Sequence, residues 1–157
     1  MNANVLRFIA LLFSTLLISL TSLCYTNNID LNMLEGTNIK IYYSSNRDFG
    51  NEKTYKNGLG VYITPNKEDA KKYILETNFD GIEFTTKLKL ENILEILNAK
   101  IVKKQKIMIN NQEKTIIYAC TNKFNKFVDI DNQKVNAQIL ISSFENKVGL
   151  PLLLGSY

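Results

Sequence analysis

The sequence contains no histidine and no tryptophan, and it has only 2 prolines and 2 cysteines among 157 residues. The absence of histidine excludes Ser-His and Cys-His hydrolases, histidine general bases and most zinc sites. The sequence also lacks a glycine-rich phosphate loop ending in Lys-Ser or Lys-Thr, a Gly-x-Gly-x-x-Gly motif and a Cys-x-x-Cys pair. Any catalysis must therefore come from Asp, Glu, Tyr, Lys, Arg, Ser or Thr side chains, and no metal cofactor is expected.

The first 24 residues have the pattern of a secretory signal peptide. Arg7 is their only charged residue, and the apolar run at 8–20 is too short to cross about 30 Å of hydrocarbon as a helix. Ser22-Leu23-Cys24 is a small-x-small pattern, so we expect cleavage after Cys24 and a secreted, extracytoplasmic product. The alternative is an uncleaved segment that anchors the chain, which would then be its contact with a membrane.

Cleavage would leave one domain over residues 25–157, with a globular composition and a net charge of about +3. Cys120 would be the only cysteine of that domain, so no internal disulfide could form, and its apolar surroundings predict a small buried side chain. The lysines at 100, 103, 104 and 106 could face a nucleic acid or an anionic surface. A solvated strand face explains them better, so we expect no specific nucleic-acid partner.

The hydrophobic pattern predicts an α+β fold with mostly antiparallel sheets and two short helices. Segments with strand character lie at 39–44, 60–64, 79–88, 101–109, 115–120, 126–130 and 135–142. A polar loop is expected at 45–59, and a docked terminal segment at 148–154. The pattern of 79–88 is that of a half-buried strand, and turns are expected at 110–113 and 131–132.

Two segments have helical periodicity. Thr64 is the predicted N-cap of the first helix, with Pro65 at its first position and Ala70, Tyr73 and Ile74 as its apolar stripe. The second helix, of about ten residues, is predicted from four apolar residues at helical spacing, Leu90, Ile93, Leu94 and Leu97.

Acidic residues outside the motifs described next are expected to be structural. Asp80 stands at the beginning of the strand at 79–88, and we expect Glu83 on that strand to face water. Glu91 and Glu95 lie four residues apart, which is typical of a solvated helix face.

The segment from Ile39 to Tyr73 carries a recognisable order of motifs. A strand ends in Tyr42-Tyr43-Ser44-Ser45, a loop follows with Arg47, and then Gly58-Leu59-Gly60-Val61-Tyr62-Ile63-Thr64 leads into a helix. This segment, together with the stretch at 89–96, resembles the ADP-ribosyltransferase superfamily, which includes bacterial toxins and the poly-ADP-ribose polymerases. The resemblance implies that fold and NAD as a substrate.

The resemblance also implies roles for individual residues. Tyr43 would contact the nicotinamide ribose, Gly60 and Tyr62 the nicotinamide ring, and Arg47 the pyrophosphate. Ser44 stands at the family's Gly/Ser/Thr position, and Thr64 offers a hydroxyl where the strand meets the helix; both are counted as NAD-binding.

Two positions depart from the family pattern. Tyr43 stands where the family has His or Arg, and it brings no charge. Gln138 stands on the strand where the family has its catalytic Glu, and a neutral amide stabilises a cationic ribose far less than a carboxylate does. Either the acid is Glu145 or Glu113 instead, or catalysis has been lost.

The resulting hypothesis is a secreted, monomeric ADP-ribosyltransferase-like effector or toxin. It would bind NAD and transfer ADP-ribose to a protein target or host factor, with Gln138 and Tyr43 in the catalytic positions. The alternative is a non-enzymatic secreted binding module that recognises a protein through its strand edges and the 45–59 loop. A third possibility, an envelope-anchored structural protein, requires the N-terminal segment to remain attached.

Overall fold

The structure is a computed structural model that describes residues 29, 38–44, 54–57, 60–76, 78–109 and 111–153. Its strands are β1 (Lys40–Tyr43), β2 (Thr54–Asn57), β3 (Gly60–Ile63), β4 (Gly81–Thr86), β5 (Ala99–Ile109), β6 (Gln112–Thr121), β7 (Val128–Ile130), β8 (Gln133–Val135), β9 (Ala137–Ile141) and β10 (Asn146–Leu150). Its helices are α1 (Lys67–Glu76) and α2 (Leu90–Ile96). The predicted signal segment, Arg47 and most of the 45–59 loop lie outside the described residues.

Eight strands form one sheet in the order β2-β3-β1-β4-β10-β9-β6-β5, and β7 pairs with β8 in a separate hairpin. Every neighbouring pair is antiparallel. The α+β prediction with mostly antiparallel sheets and two short helices is therefore confirmed.

The two sides of the large sheet differ. One side, here called the core face, carries buried apolar residues from six adjoining strands: Ile41, Tyr43, Ile63, Ile82, Phe84, Val148, Leu150, Ile139, Ala137, Ile117 and Ala119. Both helices pack on it, through residues such as Ala70 and Ile74 of α1 and Ile93 of α2. The residues between them along each strand point to the opposite side, here called the second face.

Helix α1 begins later than predicted. Thr64 and Pro65 precede it, and Asn66 is the N-cap, because its Oδ1 accepts the Asp69 backbone N–H at 2.9 Å while its Nδ2 donates to the Asp69 carboxylate. This reciprocal bonding satisfies a free backbone N–H of the first turn. Thr64 lies two residues before Asn66, too far along the chain to act as the N-cap. Helix α2 has 7 residues rather than ten, and Asn98 follows it with a left-handed φ of 47°.

Three further boundaries differ from the predictions. Strand β2 lies inside the segment predicted as a continuous loop. The strand predicted at 135–142 is two strands, β8 and β9, which are separated at Asn136. The segment predicted to dock at 148–154 begins as β10, a central strand between β4 and β9, and of its described residues 151–153 fold back over that strand.

Strand β4 is buried along its whole length rather than on one face: Ile82 and Phe84 pack in the core, and Glu83 and Thr85 on the second face are buried as well. The turn at 131–132 is confirmed, with φ values of 50° at Asp131 and 62° at Asn132. Cys120 is a free cysteine, half-buried rather than buried. None of the helices in the described residues is long and apolar enough to cross a membrane.

Candidate functional site

The second face places Tyr42, Tyr62 and Glu83 on three adjoining strands. Tyr42 of β1 lies directly opposite Tyr62 of β3, and Lys40 of β1 lies opposite Glu83 of β4. These registers put all four side chains on the side of the sheet away from the helices. Strand alternation therefore selects Tyr42, and not its neighbour Tyr43, as the companion of Tyr62.

Glu83 is a buried carboxylate, which contradicts the prediction that it faces water. The residue is 3% exposed, and its Oε1 accepts a hydrogen bond from Lys40 Nζ at 3.0 Å. Lys40 Nζ also lies 6.0 Å from the centroid of the Tyr62 ring, at the outer limit of a cation–π contact. A carboxylate this buried needs a cationic partner, because an unpaired charge would be costly to remove from water.

Around this ion pair the second face forms a depression of about 530 Å³, here called the second-face cleft. Its lining residues lie at or just before the beginning of β1, just after β3, within β4 and near the beginning of β10: Asn38, Ile39, Lys40, Thr64, Pro65, Glu83, Thr85 and Lys147. Two lysines and one glutamate give the lining a net charge of +1, and two threonine hydroxyls add uncharged hydrogen-bonding groups. The volume lies within the usual range for small-molecule sites.

Of the residues predicted to bind NAD, Thr64 lines this cleft and Tyr62 lies beside Lys40. Tyr43 does not line it, because its side chain points to the core face and is 0% exposed. Contact with a ribose would require Tyr43 to leave the hydrophobic core.

Gly60 lets another group come close to its backbone, as predicted for a glycine at this position, but that group belongs to the chain itself and is not a ligand. A Cβ at Gly60 would lie 2.3 Å from the Tyr43 carbonyl oxygen and 2.8 Å from the Tyr42 hydroxyl. The space in front of Gly60 is thus filled by the Tyr42 ring, where the resemblance would place nicotinamide.

Ser44 takes part in a network that joins the end of β1 to the beginning of β4. Its backbone N–H and its Oγ donate to Asp80 Oδ2 at 2.7 and 2.8 Å. Lys126 Nζ donates to Asp80 Oδ1 at 2.6 Å and to the Phe79 carbonyl at 2.7 Å. Partial burial raises the pKa of Asp80, but the hydrogen bonds from Lys126 and Ser44 outweigh it and hold the pKa below its usual value.

We expect this network to stabilise the fold at neutral pH and to lose its effect in acid. Because the pKa of Asp80 is lower in the folded chain, the contribution is complete above the unfolded-state pKa of about 4 and disappears as the pH falls further. Asp80→Asn should lower the unfolding free energy by about 1–2 kcal/mol at pH 7, with the difference shrinking by pH 3. Urea unfolding at both pH values measures this; the exposed Asp129→Asn is the control, and a difference independent of pH would contradict it.

Gln138 lies on β9, as predicted, but it is 3% exposed and covered by the chain's own C-terminal segment. Its Oε1 accepts a hydrogen bond from the Leu153 backbone N–H at 3.0 Å. The segment lies so close to β10 that a Cβ at Gly149 would come within 2.3 Å of the Leu152 backbone. Gln138 thus holds the segment in place and does not line the second-face cleft.

The alternative acids lie elsewhere as well. Glu113 is exposed and accepts a hydrogen bond from Lys106 at 2.8 Å, and Glu145 lines a neighbouring depression near Phe144, which shares Thr85 and Lys147 with the second-face cleft. The acid that the cleft does contain, Glu83, was missed because its strand alternates as a half-buried strand does, and the sequence does not show that the polar face is covered as well. The exposed positions of Glu91 and Glu95 confirm a solvated helix face.

Within the described residues, no group of three or more His, Cys, Asp and Glu side chains is placed to hold a metal ion. Comparison of the chain with protein-family models, curated proteins and solved structures found no match in any of the three.

Proposed function

We propose that this chain is an exported binding domain that takes a small anionic ligand in the second-face cleft. The observation that carries the proposal is the pairing of a buried carboxylate, Glu83, with Lys40 in a depression that Lys147 also lines. A ligand phosphate or carboxylate would share the Lys40 ammonium, which has three N–H donors, with Glu83 and would gain a second cation from Lys147. Thr64 and Thr85 are placed to bind its hydroxyl groups.

A nucleotide of the NAD type is the ligand that the sequence resemblance suggests, and its pyrophosphate suits a cleft with two lysines. Export is supported by the charge and apolar pattern of residues 1–24. This proposal gives structural roles to Tyr43, Ser44 and Gln138. Because Tyr43 and Gln138 were the residues predicted in catalytic positions, it favours binding without catalysis.

ADP-ribosyl transfer is the second candidate, favoured by the position of Glu83 beside β1. A carboxylate there could stabilise the cationic ribose that forms as the bond to nicotinamide breaks. Glu83 would keep its ion pair with Lys40 in this role, because the Lys40 ammonium can also donate to a phosphate. The fold would then be ADP-ribosyltransferase-like, with Glu83 rather than Gln138 as the acid.

To test the proposal, the chain is expressed with its own N-terminal segment. The recovered protein is then titrated with NAD, ADP-ribose and inorganic phosphate. We expect calorimetric dissociation constants between about 10 μM and 1 mM for NAD and ADP-ribose, as befits a cleft with two cations. N-terminal sequencing of the same sample should give Tyr25 as the first residue.

Lys147→Ala should weaken binding about fivefold or more, because it removes one of the cleft's two cations. Lys134→Ala, which removes an exposed lysine from β8, is the matched control and should have no effect. Absence of binding by NAD and ADP-ribose at millimolar concentration would contradict the nucleotide proposal. Release of nicotinamide that Glu83→Gln abolishes would establish cleavage of the nicotinamide–ribose bond, and ADP-ribose found on an added protein rather than free in solution would establish transfer.

A further inference from the structure

Strand β5 forms one edge of the large sheet and is its longest strand, with 11 residues against the usual five or six. Its inner side pairs with β6 along the whole strand, with a bulge between Ile101 and Lys103. In the part of the chain that the structure describes, no strand pairs with its outer side. The regular stretch 103–109 therefore presents a row of backbone N–H and C=O groups along the sheet edge.

The side chains of this stretch follow a definite order. Lys104, Lys106 and Met108 alternate along one side, since their partners on β6 are Ile117, Thr115 and Glu113. Both lysines are exposed, and Met108 is 67% exposed. This side thus presents two cations and then an apolar group, spaced two residues apart.

Charges around the edge are only partly balanced within the chain. Lys103 donates to Asp131 and Lys106 donates to Glu113, but Lys104 has no acidic partner among the described residues. The strand therefore retains a positive charge at its centre, in a protein whose net charge is already positive.

The same charges disfavour a second copy of β5 as the occupant. An antiparallel two-fold pairing of β5 with itself, centred anywhere from 103 to 105, places a lysine directly opposite a lysine. Like charges in directly opposed positions destabilise a strand pair. An acidic strand would turn this repulsion into attraction, so the lysines favour an acidic partner over self-pairing of β5.

We infer that the outer edge of β5 binds an extended acidic segment of another protein, which adds to the sheet as a further antiparallel strand. Main-chain hydrogen bonds would supply affinity, and alternate side chains would supply specificity. Read from its N-terminus, the segment would carry an apolar residue opposite Met108 and acidic residues opposite Lys106 and Lys104. This interaction is independent of the second-face cleft and holds whether or not the cleft binds a nucleotide.

The probe is the blocked heptapeptide Thr-Val-Thr-Glu-Thr-Glu-Thr, titrated into the isotope-labelled full-length protein and followed by NMR. We expect saturable shifts centred on 103–109, a dissociation constant of about 10 μM to 1 mM, and slower exchange of outward-facing β5 amides. The matched peptide with Gln at both Glu positions should bind about tenfold more weakly.

Two variants of the protein separate the edge from general electrostatics. Lys104→Glu should weaken peptide binding about tenfold, since the reversed charge now faces a glutamate. Lys72→Glu makes the same change on the exposed side of α1 and should alter affinity less than about twofold. Both positions are exposed, so both variants are expected to fold.

Backbone pairing is tested with two peptides N-methylated on alternate sets of amides, which keep the charges but remove half of the donors. One of the two should lose binding, because one set faces β5. The inference would be overturned if both N-methylated peptides bound equally well, or if the Gln peptide bound as tightly as the Glu peptide. It would also be overturned if a sulfated polysaccharide displaced the peptide fully and the peptide did not slow exchange of the β5 amides. The absence of binding at millimolar peptide would overturn it as well.

Discussion

Asn136→Ala is expected to lower the unfolding free energy by about 3–5 kcal/mol, a large share of the 5–15 kcal/mol typical of a domain. The Asn136 residue is 0% exposed and lies between β8 and β9. Its Oδ1 accepts the Thr121 backbone N–H at 2.7 Å, and its Nδ2 donates to the carbonyls of Thr121, at 2.7 Å, and Phe124.

The size of the effect comes from what alanine would leave behind. One N–H and two carbonyl groups would lose their partner while still buried, and each such group costs about 1–3 kcal/mol. Thr121 also donates its hydroxyl to the Leu97 carbonyl at the end of α2, so the disturbance reaches the helix. Phe124, which packs against Phe79 with ring centroids 5.8 Å apart, would lose its anchor.

Chemical unfolding followed by circular dichroism measures the change. Asn122→Ala, at the exposed asparagine that follows Thr121, is the control and should alter stability by less than about 0.5 kcal/mol. Asn136→Asp keeps the size and the acceptor but places an oxygen opposite two carbonyls, so it should destabilise at least as much as alanine. A loss below about 1 kcal/mol for both variants would contradict the role of the amide.

Gly60→Ala should lower the unfolding free energy by about 3 kcal/mol, the upper part of the range for overpacking. The added Cβ would lie 2.3 Å from the Tyr43 carbonyl, 2.8 Å from the Tyr42 hydroxyl and 2.9 Å from its Cε2. A ring can rotate away, but the carbonyl belongs to β1, which pairs with β3 and β4. The strands themselves must therefore shift.

A double variant separates the two clashes. Tyr42→Ala removes the ring contacts only, so adding it to Gly60→Ala should recover part of the loss and leave the backbone clash. Thr64→Ala, just beyond the end of β3, is the control with a small expected effect. Thermal unfolding of the four proteins forms the cycle, and complete recovery in the double variant would show that the backbone clash is unimportant.

Local chemistry made several elements predictable from the sequence. The β-branched and aromatic residues of β1 and β3 marked them as strands, and Asp131-Asn132 marked a turn because these residue types tolerate positive φ. The helix stripe through Ala70 and Ile74 was equally clear. The beginning of α1 was misplaced because Thr64, Pro65 and Asn66 all favour a helix start, and only the bonding of Asn66 to Asp69 decides among them.

The candidate site was harder to predict because it depends on contacts between strands distant in sequence. Period-2 alternation shows that Tyr42 and Tyr43 point to opposite faces, but not which face the helices cover. Lys40 of β1 and Gly149 of β10 lie directly opposite Glu83, and Gln138 is covered because residues 151–153 fold back over β10. None of these neighbours is within ten residues of the side chain it affects.

By itself, the sequence determined the chemistry available to this protein: no histidine, an α+β pattern of short elements, a single cysteine after residue 24, and an excess of lysine. Tertiary structure decided which groups can meet a ligand. It placed Tyr43 in the core, Gln138 beneath the terminal segment, and Glu83 with Lys40 in a cleft. The physical reason is that residue type sets what a side chain can do, whereas strand order and register set what surrounds it.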